Sequence, residues 1–487
     1  MSILHIVRIN KIIKYIILET KGENVMQQYK EIQISIKGIV FFSIITLICF
    51  IVLNNVIVLN ADNFCVIIMF LVNAFIICLN MVKKSSHGYS IEEIVWVFMF
   101  LFMFLAPVVQ FCLGKFPWWN SNEITTEIVF ESNLVILLFI CMFMFSNLFL
   151  KSNFKKRYSK TIFYYKKIEF ILNLSFIISV IFSLIYISNV GFYNLFARST
   201  NGFHIDNSAV SLIISCMFCS FPAISLSLNM YYKRIKGHSN SRIQVIILLI
   251  LTVLINFPTG KPRYQCAVIY IGLIILYKKD FVNKYIFKLV IVFGMIILFP
   301  VLNFFRYNTY NDLTQFSQYQ INFSNDLLEG DYDSFSMLCR CLIYKDKYDI
   351  SFGSQILGNI FFFIPRSVWP DKPIGSGAMI GEKLGWIFTN VSCPYIGEGY
   401  INFGLIGVVL FAIMFSYVST YCQVEYDKSL STNENKFKIT NVIYPFLPGF
   451  AFFIMRGDLL SSISYLIGFV SPAIILYFFD IIIPKKI

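Results

Sequence analysis

Charge and histidine are both scarce in this chain. Of 487 residues only 14% are Asp, Glu, Lys or Arg, and four are histidine. Against them stand 57% hydrophobic residues and a mean hydropathy of +0.70. A soluble chain of this size has too little polar surface to cover so much apolar material, which leaves a polytopic membrane protein as the class. Four histidines, with no pair of Cys-x-x-Cys motifs, leave little from which to build a zinc site. No internal repeat of the kind many transporters show is visible. The N-terminus carries no clear signal peptide: residues 1–37 are basic and only loosely amphipathic, and Met26 is an alternative start. A net charge of +13 would suggest nucleic acid on a soluble protein. In a membrane chain it reads as topology instead, so no nucleic-acid partner is expected. Most of the twelve cysteines, such as Cys49, Cys78, Cys141 and Cys219, sit in apolar runs as small hydrophobes, while Cys339, Cys341 and Cys393 share one polar stretch and are candidates for a disulfide.

What is present is a series of long apolar runs. A spanning helix needs roughly 20 apolar residues. On that measure the sequence predicts an all-α membrane protein with about twelve spans, at 38–59, 63–82, 91–113, 130–150, 168–189, 208–230, 243–258, 263–278, 286–304, 399–422, 439–455 and 461–483. The seventh and eighth are short and joined by "FPTGKPR"; the eleventh carries Pro445 and Pro448. Most of the Lys and Arg fall in the N-terminal segment, alternate connections and the tail, which predicts that both termini are cytoplasmic. The chain then divides into a cytoplasmic segment 1–37, nine spans in 38–304, a long outer loop 305–398, three spans in 399–483 and a tail 484–487. Loops this long are uncommon unless functional. Short helices are expected within it, for example around 333–344. "ILGNIFFFI", 356–364, is too short to span and reads as interfacial or re-entrant.

Few cations are predicted on the outer side, and all but one lie near the ends of apolar segments. Arg198 follows "GFYNLFA"; Lys261 and Arg263 share "TGKPR"; Arg306 follows a span; Arg366 and Lys372 flank "PRSVWPDKP"; Arg456 begins "RGDL". Each alone reads equally as a snorkelling or ion-paired side chain. Arg366 and Lys372 stand apart, because three prolines stiffen their loop and two glycines follow it. Guanidinium is a bidentate, always charged partner for phosphate oxygens, so the group suggests a site for a polyprenyl-diphosphate head. Glu398, between Gly397 and Gly399, reads as a base at a partly dehydrated interface or as a helix N-cap, with nothing in the residues to choose between them. Asp331 and Asp333 in "GDYDSF" read as loop or cap residues, Asp458 is expected to pair with Arg456, and His204 is the one outward histidine.

"YDSF", "FGSQILGNIFFFIPRSVWPDKP", "IGEGYINFGLIGV" and "MRGDL", in that order, resemble the bacterial O-antigen polymerases (Wzy-type repeat-unit polymerases) most strongly over about 300–460. The "TGKPR" turn looks like a variant of that family's Gly-x-Arg turn. The resemblance implies a fold like the helical membrane (GT-C-like) glycosyltransferases and a location in the bacterial cytoplasmic (inner) membrane, with the active site on the outer face. It implies transfer of a glycan from undecaprenyl diphosphate to the non-reducing end of another lipid-linked repeat unit. No cofactor, nucleotide-sugar or metal is implied, while membrane lipid and a separate chain-length regulator are implied partners. In that chemistry Glu398 is the expected base. Arg366, Arg263 and Arg306, followed by Arg198 and Arg456, are the expected diphosphate ligands, and Lys372, Trp369 and Tyr395 position sugars. The rival readings are an O-antigen ligase, with the same donor and another acceptor, and a flippase or exporter of lipid-linked oligosaccharide, which would place charge inside its spans.

Overall fold

The computed structural model describes residues 22–53, 63–82, 89–156, 163–196, 208–277, 284–301, 323–431 and 437–482. Helices make up most of it; the one strand pairing described joins Tyr164–Tyr165 to Phe437–Lys438. Eight described helices are long and apolar enough to cross a membrane, and four shorter apolar helices lie at the other expected span positions. In order they are α1 (Gly22–Leu53), α2 (Phe64–Val82), α3 (Ile91–Cys112), α4 (Thr126–Lys156), α5 (Ile168–Val190), α6 (Ser208–Lys236), α7 (Arg242–Ile255), α8 (Arg263–Tyr277) and α9 (Tyr285–Val301). Next, after a single turn at Phe323–Asp326, come three helices of 15, 7 and 8 residues, α10 (Ser334–Tyr348), α11 (Ser354–Ile360) and α12 (Ser376–Lys383), none long enough to span. The last three are α13 (Tyr395–Ser431), α14 (Ile439–Arg456) and α15 (Leu459–Ile482).

α3 is the hub. Its spanning window is 94% buried, because it is apolar all round and helices of that kind sit inside a bundle. Ser90 starts it by accepting the Glu93 N–H, with Glu92 and Glu93 in the positive first turn. A π-turn at Leu101–Leu105 precedes Pro107, whose missing N–H breaks the regular ladder. α4 and α13 run together, with the Ser416 and Thr420 hydroxyls both donating to Asn147 Oδ1 (2.9 and 2.8 Å). On the other flank, α6 packs between α5 and α15; Ser179 and Ser225 meet at 2.7 Å, and Gly468 lies against the Ile213 carbonyl. Close approach through small residues is how membrane helices gain contact when lipid gives them no hydrophobic incentive to associate. Lys288 on α9 and Glu93 on α3 are buried charges inside apolar helices; they pair with each other, and Lys288 also donates to the Met81 carbonyl. Such a pair is tolerated at that depth because each charge meets its opposite.

Gly272 of α8 makes one of the tight interhelical fits among the described residues. A Cβ there would sit 2.1 Å from the Phe446 ring, whereas one on Gly294 would meet nothing within 4 Å. G272A is expected to destabilise the protein by ~1–3 kcal/mol through overpacking. It should lower the thermal unfolding midpoint in detergent, while G294A leaves the midpoint unchanged or raised.

Candidate functional site

α13 is two helices merged across a break. Phe403 (φ −143°) and Gly404 (φ +60°, ψ −143°) leave the helical region, a conformation that glycine adopts without a Cβ penalty. The first segment folds back so that a Cβ on Gly407 would lie 1.9 Å from the Gly399 carbonyl oxygen. This is the physical content of "GEGYINFGLIG": its glycines let two backbones touch, and that contact places Glu398. The expected span 399–422 is thus interrupted near its start.

Glu398 is completely buried. The Ser376 hydroxyl donates to its Oε2 (2.7 Å), and the Leu459 N–H donates to Oε1 (3.1 Å). Asp458 stands beside it and caps α15, accepting the N–H groups of Leu460 (3.0 Å) and Ser461 (3.3 Å). Asp458 Oδ2 also takes the Gly377 N–H at 3.1 Å. Two carboxyls therefore share the positive N-terminus of α15. Burial pushes the Asp458 carboxyl above its usual range, against the lowering effect of its N–H donors.

Arg456 does not pair with Asp458, contrary to the expectation from their proximity in sequence. The intervening Gly457 turns Asp458 toward α15, while Arg456 points across the bundle. There its Nη2 donates to the Asp333 carboxylate (3.0 Å) and the Gly330 carbonyl (2.8 Å). Its Nε–H is buried with no hydrogen-bond partner among the described residues. Asp333 is fully buried and also accepts from the Ser392 hydroxyl (2.7 Å) and the Trp118 indole (2.8 Å). Arg263 pairs with Asp331 and donates to the Phe299 carbonyl (3.1 Å). Tyr264 lies between the two pairs, with the Arg456 guanidinium 5.0 Å above its ring. Asp331 and Asp333 are thus the counter-charges of two arginines and not merely loop residues. Gly377 joins the two groups: a Cβ there would strike the Val391 carbonyl at 2.1 Å, next to Ser392.

Arg366 is exposed, and its Nη1 donates to the Pro370 carbonyl (3.3 Å). Among the described residues no hydrogen bond or ion pair links it to the Glu398 or Arg456 groups. Lys372 is buried and staples its own loop, donating to the carbonyls of Phe362 (3.1 Å) and Ile364 (2.7 Å). Burial, then the nearby Arg366, lowers its pKa. The loop ends at Gly375, which sits directly on the Asp458 carboxylate. Trp369 is half-buried within it. Tyr395 is a core residue, ringed by Phe139, Phe411 and Phe415, and its hydroxyl donates to the Phe411 carbonyl (3.3 Å). Lys261 turns inward onto Tyr186 and Cys219, where burial lowers its pKa to about 7. Arg198, Arg306 and His204 lie outside the described residues. Cys341 and Cys393 are free thiols whose sulfurs lie 3.8 Å apart, and the free thiol of Cys339 accepts a hydrogen bond from the Ser132 hydroxyl (3.3 Å). Among the described residues no three His, Cys, Asp or Glu gather as metal ligands.

Sequence reasoning missed Arg340, Ser376, Ser392 and Trp118. Arg340 is buried on α10, donates to the Trp119 carbonyl (2.7 Å) and lies 4.9 Å over the Trp386 ring. Burial lowers its pKa to about 10. The one available signal was an arginine among cysteines and aromatics in "SMLCRCLIY".

A family model described as O-antigen polysaccharide polymerase Wzy matches residues 36–486, nearly the whole chain. No curated protein and no solved structure matches.

Proposed function

The chain belongs to the O-antigen polysaccharide polymerase family, and from that premise we propose that it transfers a glycan from undecaprenyl diphosphate to the non-reducing end of a second lipid-linked repeat unit. In this reading twelve spans hold both termini in the cytoplasm, and the segment between α9 and α13 faces outward in a GT-C-like arrangement. The reaction needs neither metal nor nucleotide-sugar, and a separate regulator sets chain length.

The acceptor hydroxyl oxygen attacks the anomeric carbon of the donor glycan. The bond from that carbon to the phosphate oxygen breaks, its electron pair leaves with the lipid diphosphate, and the hydroxyl proton passes to Glu398. A positioned base of this kind contributes ~10²–10⁴-fold. In this reading Arg456 and Arg263 meet the leaving group's growing charge. The observation that carries this is the Arg456 Nε–H, a buried guanidinium donor with no partner among the described residues, two residues from Asp458. A preorganised donor aimed at developing charge needs no reorganisation at the moment of reaction. Arg366 supplies an accessible cation as the diphosphate arrives. We take its loop, seated on Asp458 at Gly375, as the cover that the substrates displace; Lys372 keeps that loop closed on itself and Trp369 offers a ring to a sugar. Tyr395 acts through packing, bracing the segment that carries Glu398.

The test is a purified protein in nanodiscs given its native lipid-linked repeat unit, with products resolved by size. A ladder of lengths is expected. A single transfer to an unrelated saccharide acceptor, without a ladder, would establish the ligase; movement of substrate between leaflets without bond formation would establish the flippase. R366A is expected to slow ladder formation at limiting substrate through a raised KM with kcat little changed, because an exposed cation that meets the arriving diphosphate acts on encounter. Unchanged rates in R366A would remove that residue from the site.

A further inference from the structure

Four aromatic rings gather beside the Arg456–Asp333 pair on segments that the catalytic reading does not use. Trp118 and Trp119, from the connection after α3, stack with Trp386 and Phe388, from the connection after α12. Ring centroids lie 5.7 Å apart for Trp118–Phe388, 5.9 Å for Trp119–Trp386 and 6.4 Å for Trp119–Phe388. Trp119 is 44% and Phe388 40% exposed, so the cluster presents ring faces outward as well as packing inward. Trp386 is buried beneath them, and its indole N–H has no hydrogen-bond partner among the described residues.

The arrangement is held against a conformational cost. Trp118 (φ +70°) and Asn120 (φ +55°) both occupy the left-handed region, unusual for a side chain as large as tryptophan. Backbone in sparsely populated regions persists where its surroundings over-determine it. Here they do. The Trp118 indole donates to Asp333, its ring lies against Gly330, and the Gly330 carbonyl holds Arg456. The Trp119 carbonyl takes Arg340, which lies over Trp386. The rings are therefore continuous with the arginine site.

We propose that Trp119 and Phe388, backed by Trp118 and Trp386, form a saccharide platform on which pyranose rings of the lipid-linked glycan stack while the diphosphate end reaches the arginines. The proposal rests on the polymerase reading of that site. Pyranose faces are apolar C–H surfaces bordered by hydroxyls, so they suit an aromatic face with a polar rim. The rim is present: Asn120 donates to Glu123 (3.2 Å), and Glu123 pairs with Lys347 (3.3 Å), both half exposed. That charged surround fits a hydrated sugar better than acyl chains, although aromatic belts also occur at bilayer surfaces.

The probe is the native repeat-unit oligosaccharide, freed from its lipid by mild acid. It is expected to quench the tryptophan emission of the wild-type protein and to do so much less in W119A. Among the described residues neither the Trp119 nor the Phe388 side chain makes a hydrogen bond, so W119A and F388A are suited to keep the fold, with a melting curve as the check. Each is expected to raise KM for the lipid-linked substrate about 3- to 10-fold at unchanged kcat, the span that one lost aromatic contact gives. Wild-type KM in both variants, together with no quenching, overturns the platform. Quenching of Trp119 emission by brominated phosphatidylcholine in place of the oligosaccharide also overturns it, in favour of a bilayer contact. If the wild type makes no ladder at all, the polymerase reading fails by itself, and quenching by free oligosaccharide still decides the platform.

Discussion

E398Q is expected to lower kcat by ~10²–10⁴-fold, the range for loss of a positioned base, with KM little changed and the unfolding midpoint only modestly lowered. Glutamine keeps the shape of the side chain and still presents an oxygen to the Ser376 hydroxyl, which donates to Glu398 at 2.7 Å in the native protein. It removes the capacity to take a proton and, with its one oxygen turned to Ser376, leaves the Leu459 N–H facing an amide NH2. The competing reading, that Glu398 is there only to hold the first N–H of α15, differs in its forecast for turnover. The Leu459 N–H would lose an acceptor at 3.1 Å, so stability would fall while turnover per folded molecule stayed the same. Measuring ladder formation and the unfolding midpoint on the same preparation separates the two. E398D is a useful companion. It keeps the carboxyl but draws it back by one methylene, and as a misplaced base it should be slow while remaining pH-dependent.

The second large effect concerns the Arg456–Asp333 pair. Asp333 is fully buried and the Arg456 side chain only 15% exposed, so the screening that makes surface pairs nearly worthless does not apply. Removing one partner of a buried pair costs about 3–5 kcal/mol, because the other charge is left without compensation. D333N is therefore expected to unfold at markedly lower temperature, as read by the unfolding midpoint in detergent or nanodiscs. The double variant R456Q/D333N removes both charges together and is expected to recover much of that stability. It should not recover polymerisation, since the donor proposed to meet the lipid diphosphate is gone. If the double variant polymerises normally, the pair is structural and the diphosphate is held elsewhere. If D333N melts like the wild type, the pair is weaker than its burial implies.

Much of the fold could be read in advance because the physics is local. A spanning helix is announced by its own apolar run, and the described helices lie at the expected positions, with α14 bent through a short 3₁₀ turn at Tyr444–Phe446 where Pro445 falls. Of the short helices between α9 and α13, the one expected around 333–344 lies at Ser334–Tyr348, whereas the helix at Ser376–Lys383 was not read from the sequence. The pairings of the site were not legible either, because they are not local. Arg456 and Asp333 are 123 positions apart, and Arg263 and Asp331 68 apart, with no periodicity to connect them. Proximity in sequence pointed instead to Arg456 with Asp458, and a single glycine sends those two side chains in different directions. Arg340 escaped for another reason: in the string it looks like one polar residue on an ordinary loop helix, and only its burial between Trp119 and Trp386 marks it out. Aromatic spacing was uninformative too, since 18% of the chain is Phe, Trp or Tyr and the four rings of the platform come from two distant connections.

The break at Phe403–Gly404 has a mechanical consequence. Were α13 one rigid rod, any tilt or sliding of its membrane part, such as a bilayer of different thickness imposes, would be transmitted directly to Glu398. With the rod interrupted, the carboxyl takes its register from the cap of α15 as well as from Gly407, Phe411 and Phe415 at the start of the long segment. Movement of that segment reaches the acid through these packing contacts, and the hydrogen bonds from Ser376 and Leu459 oppose it. In effect the joint replaces a stiff linkage to the membrane with a compliant one.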